Sequence, residues 1–151
     1  MKSTVELEIE APRGEVAALY ADPRHSTSWM DDLQRYEPLS GAPGEPGSTY
    51  RLIPKRGKRV FTATVLTRDL PKEMRLRLEA AGVTVLVSGV LSDLPGERTR
   101  LVSEEVFQFN GLLSRLFGLF ARAGIRAAHR RHMEAFKRFA ESVRAGPPHS
   151  G

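Results

Sequence analysis

The chain switches between two hydrophobic periods, and each switch marks a new element. Near the N-terminus Val5, Leu7 and Ile9 alternate with Glu6, Glu8 and Glu10, the period of a strand with one buried face. Ala11 and Pro12 break the alternation. Residues 13–20 read as a short helix with Val16, Leu19 and Tyr20 on one face, and Pro12 suits its start. Ala21, Asp22 and Pro23 stop it, and 24–33 predicts a second short helical piece carrying the only tryptophan, Trp29. The stretch 41–47 has three glycines and two prolines, so it predicts a loop.

Alternation returns between 48 and 109. Strands are expected at 48–54, 59–68, 73–79, 83–93 and 98–109, with turn signals at the charged tip 55–58, Leu70-Pro71, Ala81-Gly82 and Pro95-Gly96. Breaks every 8 to 12 residues argue for one antiparallel, highly curved sheet. Asn110-Gly111 ends this meander. The proline-free stretch 111–144 then predicts a single helix of roughly nine turns. Phe117, Ala121, Gly124, Ile125, Ala128, Ala135, Phe136, Phe139 and Val143 share one side of it. Arg115, Arg122, Arg126, Arg130, Lys137 and Arg144 share the other. The expected organisation is one α+β domain over 1–145, a curved sheet wrapped around the last helix, with a disordered tail at 146–151.

Composition changes the picture mainly by exclusion. The 151 residues include no cysteine, which removes disulfides, thiol catalysis and Cys-ligated metals and accords with a cytoplasmic location. The start of the chain has acidic residues where a signal peptide has its apolar core. The net charge of +5 resides in the last helix, where 111–145 holds eight basic and two acidic residues. A solvated outer face accounts for such a stripe; so would contact with phosphates or anionic lipid. Without interleaved aromatic residues, nucleic acid is not expected as a partner. Nucleophile-elbow, phosphate-loop and dinucleotide fingerprints are absent, and no cofactor is expected. The pair His129 and His132 has no carboxylate partner set by spacing, so no metal site is assigned.

Three segments together carry a family resemblance: VELEIEAPRGEVAALYADPRHSTSW, then the Gly-Pro loop leading into GSTYRL, then LPGERTRLVSEEVFQFNG before the long helix. With these the chain resembles the SRPBCC superfamily of START lipid-transfer domains, Bet v 1-like proteins and bacterial polyketide cyclase/dehydrase relatives. The resemblance implies a helix-grip fold with two short helices after the first strand. It also implies a cavity for a lipid, polyketide, sterol-like or aromatic ligand.

Strand phase nominates the cavity-facing side chains. They are Tyr50 and Leu52; Phe61, Ala63 and Val65; Met74, Leu76 and Leu78; Val83, Val85, Val87 and Leu91; and Leu101, Ser103, Glu105 and Phe107. Trp29 is expected near the cavity mouth, with Phe117, Ala128 and His132 facing in from the helix. Gly118, Ala121, Gly124, Ala127 and Ala128 make the middle of the helix thin, leaving room beneath it. Glu105 and His132 form a candidate acid/base pair, the alternative being a hydrogen-bonded core histidine and a Glu105 paired with Arg131. Three functions follow: binding of a small hydrophobic molecule, a cyclase or dehydratase using Glu105 and His132, or a lipid carrier touching membranes through 112–126. Leu112 and Leu119 fall outside the buried arc and suit a lipid or homodimer contact.

Overall fold

The computed structural model describes residues 1–57 and 59–145; Lys58 and the tail expected to be disordered, 146–151, lie outside the described residues. Strand β1 (Lys2–Ile9) leads into helix α1 (Arg13–Ala21), a 3-10 turn (Pro23–His25) and helix α2 (Ser26–Trp29). Six strands follow: β2 (Leu33–Ser40), β3 (Thr49–Pro54), β4 (Phe61–Asp69), β5 (Glu73–Ala80), β6 (Val83–Leu94) and β7 (Arg98–Phe109). Helix α3 (Leu112–Ala145) closes the chain. The seven strands form one antiparallel sheet in the order β1-β7-β6-β5-β4-β3-β2. The expected α+β helix-grip architecture is therefore the one observed.

Alternation sets the faces. In β1 the glutamates point outward, while Ser3, Val5, Leu7 and Ile9 are buried. Pairing of Val5 with Ser103 and Leu7 with Leu101 places the inner residues of β1 beside those of β7. A core then forms where Ile9, Val16, Leu91, Leu101 and Phe136 meet, and a second cluster gathers Tyr50, Leu52, Ala63, Val65 and Met74 further along the sheet.

Strand β2 and the helical piece before it differ from expectation. The chain over 24–33 makes only the end of a 3-10 turn and the single turn of α2, and Leu33 already belongs to β2. Strand β2 carries no alternating pattern, because Leu33 is its only fully buried residue and most of the others are exposed. Pro38 argues against a strand interior, but β2 is an edge strand and needs fewer backbone donors. Its pairing with β3 is irregular on either side, between Leu33 and Arg35 and between Pro38 and Ser40.

Helix α3 also departs from the expectation of one continuous buried side. Its fully buried stripe is His129, Met133, Phe136 and Ala140, all in the C-terminal half. The first turns rise out of the fold, with Phe117 59% exposed and Phe120 89% exposed. Gly118 is the one buried point there, and a Cβ on it would lie 2.6 Å from the ring of Phe109. That glycine brings the helix close to β7; the small residues that border open space are Ala121, Gly124 and Ala128.

Candidate functional site

A groove runs between the sheet and α3 and deepens into two hollows. The inner one, about 120 Å³, lies among Tyr20, Trp29, Tyr50, Met74, Ser103 and Met133. The outer one, about 580 Å³, lies among Phe61, Val85, Phe107, Phe117, Phe120 and Ala128. Both share Met30, Leu52, Leu78, Glu105, His129 and His132 as walls. A mostly apolar lining with a few converging polar groups is the usual make-up of a small-molecule site.

Most of the residues nominated from strand phase and from the helices border one hollow or both. Trp29, Tyr50, Leu76, Val87 and Ser103 lie on the inner one. Phe61, Val85, Phe107, Phe117 and Ala128 lie on the outer one, and Leu52, Glu105 and His132 on both. Ala63, Leu91 and Leu101 belong instead to the packed clusters. Their phase points inward, but Leu91 and Leu101 lie where Ile9, Val16 and Phe136 fill the space over the sheet.

The polar centre of the groove is His129, which is 3% exposed. Its Nδ1 lies 2.8 Å from Ser3 Oγ, and its Nε2 lies 2.9 Å from Ser103 Oγ. A neutral imidazole donates through one nitrogen and accepts through the other, and two hydroxyls can rotate to match. Burial, with help from the charges of His132 and Arg130, lowers the His129 pKa to about 4. Glu105 Oε1 stands 3.3 Å from the same Nδ1, and burial raises the Glu105 pKa to about 7. Tyr20 completes the cluster. Burial raises its hydroxyl to about 12, a hydrogen bond with Ser103 partly opposes this, and the Glu105 charge adds to it. The centre is thus built from groups whose burial favours their neutral forms.

Tyr20 reaches this position because Gly89 leaves room on β6: a Cβ there would come within 2.5 Å of the Tyr20 hydroxyl oxygen. The Tyr20 ring stacks near Trp29 at a centroid distance of 6.4 Å and meets Phe136 edge-on at 5.3 Å. The Trp29 indole N–H is buried and has no acceptor among the described residues. On the far wall the amide of Gly44 donates to the Tyr50 hydroxyl, which ties loop 41–47 to the buried end of the groove.

The acid/base contact formed in the structure differs from the expected one. Glu105 faces His129, whereas His132 Nε2 lies 3.1 Å from Asp32 Oδ1 and 3.9 Å from Asp31 Oδ1. Arg131, the other partner considered for Glu105, lies 3.9 Å from Asp31. Spacing alone concealed these carboxylates, because Asp31 and Asp32 come from the segment between α2 and β2, about a hundred positions away in the chain. Ligand atoms of Asp31, Asp32 and His132 lie within 4.8 Å of one another, close enough to share a cation.

Sequence reasoning missed Tyr20, His129 and Met133. A glycine in the middle of β6 was the available signal for Tyr20, since Gly inside a strand often marks close approach by another group. For His129 the signal was the narrow series His129, Met133, Phe136 and Ala140. The hydrophobic arc of the whole helix centres nearer His132, because its uncovered first turns add Phe117, Ala121 and Gly124 to that side.

The profile of a family described as polyketide cyclase/dehydrase and lipid transport matches residues 1–141. The chain belongs to this family. No curated protein matches it. Among solved structures it is similar to a hypothetical protein of Helicobacter pylori, at TM-score 0.74 and 12% identity over 93% of this chain and 88% of that one. A protein of Thermus thermophilus is similar at TM-score 0.73 and 15% identity, over 97% and 100%. Norcoclaurine synthase from Thalictrum flavum, solved with dopamine and hydroxybenzaldehyde, is similar at TM-score 0.71 and 13% identity, over 97% and 88%. At these identities the likeness concerns the helix-grip fold of the SRPBCC/START/Bet v 1 superfamily. Its family members share the frame, and each site must be argued from its own residues.

Proposed function

We propose that the groove binds one small, mainly apolar molecule carrying a hydrogen-bonding group. The observation that carries this reading is the convergence of an apolar groove on the buried Ser103 and His129 and the half-buried Tyr20 and Glu105. Aromatic and aliphatic walls supply affinity, and the cluster, with the Trp29 indole N–H, supplies orientation. The reading includes the cytoplasm as the place of action, as the cysteine-free sequence suggests. Binding is tested with a hydrophobic dye in lipid-free buffer, alongside mass spectrometry of any molecule retained through gentle purification. Val87→Phe at the inner hollow and Ala128→Phe at the outer one should each weaken dye binding by about tenfold. Unchanged binding in both variants, with the fold intact, would overturn the reading.

A second reading is favoured by one specific observation: Glu105 Oε1 stands 3.3 Å from Nδ1 of the buried His129, where burial raises the Glu105 pKa to about 7. In that reading the protein is a cyclase or dehydratase in which Glu105 moves the proton and His129, held by Ser3 and Ser103, is its neighbour. His132, paired with Asp32, has the outer position. Glu105→Gln separates the two readings. An enzyme loses turnover while keeping ligand affinity, whereas a pure binder shows only a modest change in affinity.

A further inference from the structure

The first turns of α3 present a surface that neither core cluster uses. Leu112 is 76% exposed, Leu113 83%, Leu116 45%, Leu119 58% and Phe120 89%, all within nine residues. Isolated exposed apolar residues are ordinary, but a contiguous patch of this kind marks a contact surface. Turned at 100° per residue, these side chains occupy one broad arc, and Arg115, Arg122 and Arg126 form a row along its edge. From 111 to 133 the sequence contains no acidic residue. Among the described residues, no helix is long and apolar enough to cross a membrane.

We propose that the N-terminal half of α3 docks in the plane of an anionic lipid surface. The Leu and Phe side chains would enter the acyl boundary, and the Arg row would meet the headgroups, the division of labour of an in-plane amphipathic helix. Charge decides the occupant. An antiparallel two-fold pairing with a second copy would bring Arg115, Arg122 and Arg126 toward the same residues of the other copy, whereas an anionic bilayer neutralises them. Phe117 and Phe120 belong to this surface and also to the wall of the outer hollow, so docking turns the mouth of the groove toward the lipid. That last step rests on the ligand-binding reading; the docking itself does not.

The test is co-sedimentation of the full chain with phosphatidylcholine vesicles and with vesicles of phosphatidylcholine and phosphatidylglycerol. Binding should favour the anionic vesicles by about tenfold and weaken sharply between about 50 and 500 mM salt. The double variant Leu113→Asp with Leu116→Asp borders neither hollow and should lower vesicle binding by at least about tenfold while keeping wild-type dye binding. Arg122→Glu should reduce the preference for anionic vesicles. The proposal is overturned if wild-type protein ignores anionic vesicles, or if the double variant binds them as wild type does. It is equally overturned if light scattering reveals a dimer that the double variant dissolves, since a second copy would then cover the face. Wild-type protein that binds vesicles but no dye would leave docking standing and overturn the cavity reading alone.

Discussion

Glu105 keeps its proton in the folded chain up to about pH 7, whereas an ordinary glutamate ionises near 4.5. As pH rises through that interval, the unfolded chain loses a proton that the folded chain retains, so folding stability falls. His129 has the opposite slope. Its pKa drops from 6.5 to about 4, so stability falls as pH is lowered through that interval, where only the unfolded chain gains a proton. Where the two intervals overlap, the slopes oppose each other. Glu105→Gln removes the first effect. The variant should be more stable than wild type by about 2–3 kcal/mol at pH 8 and nearly equal to it at pH 4, measured by urea unfolding. An equal difference at both pH values would contradict a half-buried Glu105 that keeps its proton. This residue was legible in the sequence, because the phase of β7 turns it inward with Leu101 and Ser103. Its partner was not, because His129 and Glu105 lie on different elements and periodicity reports only faces.

At the level of elements, β6 and α1 are fitted together at Gly89. Introducing a β-branched side chain there drives it into Tyr20, whose ring is already held by Trp29 and Phe136. Gly89→Val should therefore destabilise the fold by about 1–3 kcal/mol. It should also perturb dye binding, because Tyr20 borders the inner hollow. Thermal unfolding with dye titration checks both, and a neutral Gly89→Val would mean that α1 does not lean on β6. Strand phase was the strongest element-scale signal in the sequence, and it holds for β1 and β3–β7. It was silent on β2, which keeps only Leu33 fully buried. It also could not say where along a strand the core ends and the groove begins. Leu101 and Ser103 share a face, yet Leu101 packs in the core and Ser103 borders the inner hollow.

For the molecule as a whole, the sheet is anchored asymmetrically. The C-terminal half of α3 packs over β1 and β7, while the groove lies over the strands toward β3, and β2 is an irregular edge. Native-state hydrogen exchange should follow this order. Central amides of β6 and β7 and of the 129–140 stretch of α3 should be the most protected, and those of β2 and of 112–120 should exchange much faster. Uniform protection across α3 would contradict the free-standing first turns. Apart from β2, which the pattern did not mark, the order of elements, the curved antiparallel sheet, the long amphipathic helix and the inward phase of most strands were determined by the sequence alone. Each follows from local periodicity and from turn residues whose preferences act over a few positions. Tertiary structure alone decided three things: that α3 buries His129 and not His132 most deeply, that His132 meets Asp31 and Asp32, and that the first turns of α3 stay uncovered. The physical reason is the same in each case. Hydrophobic period tells a helix which side to bury, but the depth and partner of each side chain depend on where distant elements end, and that is settled only when they pack.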